Sequence, residues 1–210
     1  MEIKANFLGT GTSQGVPVIG CNCLVCKSPN LKDKRLRSSL FIAINNCNIL
    51  IDIGPDFRTQ ILKLNQSAID AVLFTHQHRD HTAGLDDVRP IYYMHKKPIQ
   101  LYAENIVFEA LKHDFNYLFF GSNYPGKPKF NLNSISVDNF EISNIKVTPI
   151  RVMHHKLPVL GYRIGNLSYI TDANYISDTE KKKLIGSEVL IINSLQKEKH
   201  ISHFNLNESL

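Results

Sequence analysis

The sequence predicts an α/β fold formed by a single domain over residues 1–210. Short apolar runs with the pattern of strands alternate with longer amphipathic segments that predict helices. Two-residue turns, Asn45-Asn46 and Gly165-Asn166, separate pairs of neighbouring strands. The hydrophobic content of 43% is sufficient for a sizeable core.

The first half of the chain contains most of the predicted helices. Strands are predicted over 2–8, 38–44, 48–53, 71–74 and 99–102, and helices over 55–65, 85–90 and 104–113. Residues 116–129 form an aromatic loop rich in glycine and proline, which predicts a lid over a site or a contact with a partner.

The second half is richer in strands. A strand over 145–153 is followed by strands over 160–164 and 167–171 and by a strand over 189–193, with a helix near 177–185. Asn205 and Glu208 have the spacing of a capping box, so a helix should begin there. Because the chain ends at Leu210, inside the first turn, we expect that it is a truncated form of a longer protein, or that its last residues lack order.

Charge and composition exclude several classes of protein. The net charge of +5 is mild and the lysines are scattered, so nucleic acid is a less favoured partner and Lys181–Lys183 predicts a solvated helix face. Neither a membrane span nor an export signal is recognisable. With no framework of paired cysteines, the expected compartment is the cytoplasm. The glycine-rich loop at Gly9–Gly15 is only a weak signal for nucleotide binding.

A cluster of metal-binding side chains follows the strand at 71–74. His76, His78, Asp80 and His81 lie within six residues, and the period-2 spacing of the first two should project both imidazoles to one side. Asp80 and His81 lie past the turn and can face a second point nearby. Three nitrogens and one oxygen suit zinc, manganese or iron, with room for two ions. A histidine-rich polar loop without metal is the weaker interpretation.

Two further residues at strand ends can complete a two-metal site. His154 and Asp172 each follow a predicted strand, so His154 can complete the first ion site and Asp172 can bridge two ions. We expect its neighbour His155 to point away. Asp52 also follows a strand; it could be a ligand, but a buried carboxylate that orients ligands or loop amides is favoured.

The cysteines predict a second, structural metal site. Cys21, Cys23 and Cys26 fall in one loop, near 20–27, with the spacing of three thiolates around a tetrahedral zinc. The fourth ligand would come from elsewhere in the chain. Cys47 is interpreted as an inert lone cysteine.

Together these motifs resemble the metallo-β-lactamase superfamily. Asp52, the His76-x-His78-x-Asp80-His81 segment, His154 and Asp172 match its motifs in order, and the resemblance is greatest to PhnP-like phosphodiesterases of phosphonate degradation. The Gly9-Thr10-Gly11 segment that leads to the three cysteines matches the additional zinc knuckle of that group.

The resemblance implies an αββα sandwich, with its C-terminal helix and strand missing here, and two zinc or manganese ions. His76, His78 and His154 would hold the first ion, and Asp80, His81 and the bridging Asp172 the second. A hydroxide that bridges the ions would attack a small cyclic or linear phosphodiester. The implied catalytic residues are Asp80 and His203, the latter as proton donor to the leaving group.

The resemblance also places one further active-site histidine and one knuckle histidine near the C-terminus. His200 and His203 have the spacing of that pair but precede the last helix, so both closing ligands are expected to be absent and metal occupancy incomplete. The substrate is the principal expected partner, and no membrane partner is expected. The sequence is compatible with a monomer and with a homodimer.

Alternative functions belong to other classes. The chain could be a tRNA 3′-end endonuclease, although nothing in it resembles the tRNA-gripping arm of those enzymes. It could also be a non-catalytic relative, such as the pyrroloquinoline-quinone biosynthesis protein, or an oxygen-using di-iron or persulfide-oxidising member. The intact His76–His81 motif disfavours a non-catalytic relative.

Overall fold

A computed structural model describes residues 2–120 and 126–210 of the chain. The contacts between residues divide the chain into two compact units, Glu2–Ser134 and Ile135–Leu210, which we call the N-terminal and the C-terminal unit. Within the described residues, each unit is built on a six-stranded sheet. The mixed α/β character predicted from the sequence is confirmed.

The sheet of the N-terminal unit has the strand order β1-β2-β3-β4-β5-β6. The first three strands are antiparallel, whereas β3 to β6 are parallel. Asn45 and Asn46 both have positive φ angles, 48° and 61°, as a two-residue hairpin turn between β2 and β3 requires. The strands are β1 (Ile3–Gly9), β2 (Ser39–Ile44), β3 (Cys47–Ile51), β4 (Ala71–Leu73), β5 (Ile99–Ala103) and β6 (Phe130–Ser134).

Helices connect the parallel strands, which need crossover connections. The α-helices of this unit are α1 (Leu24–Lys27), α2 (Phe57–Leu64), α3 (Arg79–Thr82), α4 (Arg89–His95), α5 (Asn105–Asp114) and α6 (Asn116–Phe119). Two 3-10 helices cover Leu31–Asp33 and Leu85–Val88.

The core of the N-terminal unit lies around β4, whose three residues are fully buried. An apolar run without alternation is typical of a parallel strand that is covered on both faces. Phe57 of α2 and Leu111 of α5 belong to the same core cluster. This burial fixes the end of β4, from which the metal-binding motif continues.

The sheet of the C-terminal unit has the order β11-β8-β9-β10-β12, and β7 also pairs with β8. The hairpin predicted around Gly165-Asn166 is present, and Gly165 has a φ angle of 60°. The strands are β7 (Phe140–Ile142), β8 (Ile145–His154), β9 (Leu157–Ile164), β10 (Leu167–Ile170), β11 (Tyr175–Ile176) and β12 (Val189–Ile192).

The remaining elements of this unit are short helices. Helix α7 (Asp178–Lys181) continues into a 3-10 helix at Lys182–Leu184, and α8 (Leu206–Ser209) follows Asn205. The side chain of Asn205 accepts from the backbone N–H of Glu208, and the carboxylate of Glu208 accepts from that of Asn205. The predicted capping box is confirmed.

The structure corrects part of the prediction for residues 116–129. Asn116–Phe119 is helical rather than a loop, and Leu118 is only 3% exposed because it packs in the core of the N-terminal unit. Residues 121–125, which belong to the proposed lid, lie outside the described residues. Every helix among the described residues is too short or too polar to cross a lipid bilayer.

Candidate metal centre

Two groups of candidate metal ligands, here called the first and the second ligand group, are present among the described residues. The first ligand group lies in the N-terminal unit, immediately after β4. His76 is 1% exposed, whereas His78 is exposed to solvent. The imidazole of His76 lies 4.6 Å from that of His78 and 4.3 Å from that of His81, measured between ring centroids. The structure therefore brings the three histidines of the motif close together. The spacing predicted this for His76 and His78, whereas His81 was expected to face a second point nearby.

The other two residues of the motif lie on the short helix α3. Nε2 of His81 is 3.2 Å from a carboxylate oxygen of Asp80. The neighbouring Arg79 is directed elsewhere and forms an ion pair of 2.6 Å with Asp114, at the end of α5. Because the side chain of Arg79 is 67% exposed, this pair contributes little to stability.

Asp52 forms hydrogen bonds with two residues of this segment, Thr75 and His81. It follows β3 with a left-handed φ angle of 62° and is fully buried. One oxygen accepts from the backbone N–H of Thr75 at 2.8 Å, and the other contacts the hydroxyl of Thr75 at 2.8 Å and Nδ1 of His81 at 2.7 Å. As predicted, Asp52 is a buried carboxylate that contacts a loop amide, Thr75 N–H, and a candidate ligand, His81.

Burial and hydrogen bonding have opposite effects on Asp52. Burial raises the pKa of its carboxyl above the usual range, whereas His81 and the two donors of Thr75 act to lower the pKa. A carboxylate that accepts from Nδ1–H of a histidine leaves Nε2 of that ring as the ligand atom. Asp52 thus orients His81 in the manner common at metal sites.

The backbone of the ligand loop packs directly against the end of β3. The carbonyl of His81 accepts from Ile53 N–H at 2.8 Å, and Gly84 N–H donates to the carbonyl of Ile53 at 3.0 Å. A Cβ atom at Gly54 would overlap the carbonyl oxygen of Asp80, and one at Gly84 would overlap that of Gly54. Both positions require glycine because two backbones touch there.

The second ligand group lies in the C-terminal unit. The ligand atoms of His154, Asp172 and His203 lie within 4.8 Å of one another. Nδ1 of His154 is 2.9 Å from the carbonyl oxygen of Ser202, so it is the protonated nitrogen and Nε2 can bind an ion. His155, which we expected to point away, is exposed and is not part of this group.

His203 lies beside His154 with its ring centroid 4.7 Å away. This position is compatible with metal binding as well as with proton donation, the role that the resemblance implies. His200 is exposed, and its ring lies 5.2 Å from that of His203. His95 and His113 are also exposed, as expected for surface histidines.

Two asparagines that sequence reasoning missed hold the Asp172 turn in place. The side chain of Asn193 accepts from Ala173 N–H at 2.8 Å and donates to Ala173 C=O at 3.0 Å. Asn174 accepts from His155 N–H at 2.8 Å and donates to the carbonyl of Ile201 at 3.1 Å. Polar residues at strand ends identified Asp172, and the same signal could have identified Asn193.

The three cysteines form a separate group in the N-terminal unit. The Sγ atoms of Cys21, Cys23 and Cys26 lie within 4.8 Å of one another, and none is in a disulfide. The backbone N–H of Cys26 donates to Sγ of Cys23 at 3.4 Å. This hydrogen bond, together with the neighbouring thiols of Cys21 and Cys26, lowers the pKa of the Cys23 thiol to about 7. The thiolate is the form that binds metal, so this loop fits a zinc ion.

The ligand types in all three groups fit metal ions. Imidazoles and carboxylates in mutual reach suit zinc or manganese, and three thiols in mutual reach suit zinc. Thiols are absent from both His/Asp groups described above.

Known proteins are similar to this chain in fold and, to a lesser extent, in sequence. A family model described as a beta-lactamase superfamily domain matches residues 47–210. A crystal structure described as a new diphosphatase from the PhnP family is 36% identical, with a TM-score of 0.92 over all of this chain and 80% of that one. Zinc-bound PqqB from Methylobacterium extorquens is 21% identical, with a TM-score of 0.76 over 94% of this chain and 74% of that one.

A curated relative carries a different name. The octanoyltransferase of Porphyromonas gingivalis is 41% identical over 99% of this chain, which spans only 42% of that protein. The name alone therefore does not assign an activity to the matched part. The family model covers more than half of the chain, and the fold agrees with it. The chain belongs to the metallo-β-lactamase superfamily.

Proposed function

We propose that this chain is a metal-dependent hydrolase of small linear or cyclic phosphodiesters that uses two zinc or manganese ions. The observation that carries the proposal is the presence of two ligand groups of the same chemistry. One contains the His76–His81 motif, and the other contains His154 and Asp172. The likeness to a PhnP-family diphosphatase supports chemistry at phosphorus.

The residues of the chain would act mainly by holding ligands in position. His76, His78 and His154 would bind one ion, and Asp80, His81 and Asp172 the other. When bound, such ions lower the pKa of a water molecule and neutralise charge on phosphoryl oxygens.

His203 would complete the reaction as a proton donor. An alkoxide is a poor leaving group unless it is protonated as the bond to phosphorus breaks. His203 lies beside the ligands His154 and Asp172, so a protonated imidazole there would be close to the substrate. In this assignment His203 is a catalytic residue and not a metal ligand.

The proposal is tested with bis-p-nitrophenyl phosphate. Metal-depleted protein should be inactive, and zinc or manganese should restore turnover. His76→Ala should abolish turnover while circular dichroism shows that the fold is retained. Turnover by metal-free His76→Ala protein would contradict the proposal. So would a wild-type protein that holds two ions but hydrolyses none of several phosphodiesters.

Acyl hydrolysis is a second candidate, because the relative from P. gingivalis is named an octanoyltransferase. A metal ion that polarises a carbonyl could serve an octanoyl ester as well as it serves a phosphodiester. Both p-nitrophenyl octanoate and bis-p-nitrophenyl phosphate release nitrophenolate, so the rate enhancement over spontaneous hydrolysis can be measured for each in the same assay. A larger enhancement on the octanoate would favour this second function.

For the cysteine loop we propose a structural zinc ion. Cys21, Cys23 and Cys26 would supply three thiolates, away from the reaction. Cys23→Ser should lower the melting temperature more than it lowers kcat, because a structural metal contributes to folding. A loss of kcat at unchanged melting temperature would contradict a structural role.

A further inference from the structure

The hydrogen bonds of Thr75 indicate which ring nitrogen of His76 carries the proton. Thr75 is 1% exposed and lies between fully buried Asp52 and His76, which is 1% exposed. Its hydroxyl oxygen is 2.8 Å from Oδ2 of Asp52 and 2.9 Å from Nδ1 of His76. Both contacts have the length of hydrogen bonds, so the single hydroxyl proton must be assigned to one of them.

The other contacts of Asp52 decide where that proton lies. Oδ1 faces the backbone N–H of Thr75, which can only donate, and Oδ2 also faces Nδ1 of His81 at 2.7 Å. The Thr75 N–H and the Nδ1–H of His81 favour the ionised form of Asp52, and an ionised carboxylate acts as an acceptor only. The hydroxyl of Thr75 therefore donates to Asp52, and its lone pairs face His76.

We propose that Thr75 is a positioning residue that sets the tautomer of His76, so that Nδ1 carries the proton and Nε2 is the ligating nitrogen. The Nδ1–H of His76 then donates to the Thr75 hydroxyl. Asp52 fixes two imidazoles in this way, His81 directly and His76 through the hydroxyl. The inference deepens the proposed metal site and rests on it for its functional meaning.

The opposite arrangement conflicts with the geometry. If Thr75 donated to Nδ1 of His76, its oxygen would face Oδ2 of Asp52 at 2.8 Å with no proton between the two acceptors. His76 would then carry its proton on Nε2, which is incompatible with metal binding through that atom. The hydroxyl therefore has a chemical role that a methyl group of similar volume cannot replace.

The test is a direct measurement of the tautomer in metal-free, ¹⁵N-labelled protein. Two-bond ¹H–¹⁵N correlations distinguish a protonated Nδ1 from a protonated Nε2, and His76→Gln assigns the signals. Wild-type protein and Thr75→Ser, which keeps the hydroxyl, should show His76 protonated on Nδ1. Thr75→Val, which replaces the hydroxyl by a methyl group, should show a mixture or the other tautomer.

Zinc affinity provides the second readout. Thr75→Val should bind zinc about 10–100-fold more weakly, as is usual when a partner of a ligating histidine is lost, and Thr75→Ser should restore the affinity. Thr82→Val is the matched control, because Thr82 is 2% exposed and its hydroxyl bonds only to the backbone carbonyl of His78. This control should keep the tautomer of His76.

Two results would overturn the inference. One is a His76 ring that is protonated on Nε2 in wild-type protein; this result does not depend on whether the Thr75 variants fold. The other is a Thr75→Val protein with the wild-type tautomer and zinc affinity. Failure of phosphodiester hydrolysis leaves both measurements intact, so the proposed function and this inference can fail separately.

Discussion

Asn193 binds both backbone groups of Ala173 with its side-chain amide, at 2.8 Å and 3.0 Å. The carbonyl of Ala173 also accepts from the N–H of Phe204 at 2.7 Å. One side chain after β12 therefore fixes the peptide next to Asp172 and the segment that contains His203. Its position determines where two residues of the second ligand group lie.

Asn193→Ala should lower the free energy of unfolding by about 1–3 kcal/mol, because it leaves the partly buried N–H of Ala173 without its partner and removes one of the two donors to the carbonyl of Ala173. Metal affinity should fall as well. Urea unfolding and zinc titration measure the two effects. Asn166→Ala is the control, since it removes only an exposed contact with Glu188. Equal losses in both variants would show that Asn193 has no special role.

Asp172→Asn should retain the fold but lose hydrolysis by more than about 100-fold, a larger effect than loss of a partner outside the ligand sphere. Asp172 has a left-handed φ angle of 52°, which asparagine tolerates well. The substitution therefore isolates the carboxylate charge from backbone strain. Metal content by mass spectrometry should fall with the rate. Full metal content and full activity would exclude Asp172 as a ligand.

Two substrates with different leaving groups show whether His203 donates a proton or binds metal, when each is tested with His203→Ala. A proton donor contributes about 10²–10⁴-fold when the leaving group is an alkoxide, and little when it is nitrophenolate. We expect a large loss of kcat on alkyl phosphodiesters, a small loss on bis-p-nitrophenyl phosphate and unchanged metal content. Loss on both substrates together with loss of metal would identify His203 as a ligand instead.

Cys23 should react with iodoacetamide at lower pH than Cys26 in metal-free protein. The N–H of Cys26 and, to a smaller extent, the thiols of Cys21 and Cys26 lower the pKa of Cys23 from 9.0 to about 7, so its thiolate forms as the pH rises through about 7. For Cys26, the N–H of Val18 lowers the pKa, but burial and the two other thiols outweigh it and raise the pKa above 9.0.

Peptide mapping of the alkylated protein at several pH values checks this order of reaction. Zinc should protect both cysteines. Zinc binding should weaken below about pH 7, because protons then compete for the Cys23 thiolate. Equal midpoints for Cys23 and Cys26 would contradict the assignment.

Residues with local signals could be predicted from the sequence. The hairpin at Asn45-Asn46, the strand that precedes His154 and the capping box at Asn205 depend on neighbours in the chain, and the structure contains all three. The His76–His81 motif is also local, and its period-2 spacing predicted that His76 and His78 lie close together.

Residues that act across the fold could not be predicted in the same way. Thr75 and Asn193 form hydrogen bonds with partners 23 and 20 residues away, and no periodicity records such pairs. Strand β6 was also missed, because as an edge strand it exposes polar residues and lacks an apolar run. Helix α6 was hidden within an aromatic segment that resembles a loop.

The close contact of Gly54 with the carbonyl of Asp80, and of Gly84 with Gly54, has a consequence for directed evolution. These glycines set the separation of two backbone segments, so a methyl group at either position would displace the ligand loop as a whole. Arg79 lies between His78 and Asp80 in the sequence, and because its side chain is exposed, larger or smaller side chains can replace it. A mutant library that seeks new substrates should keep both glycines constant and vary position 79.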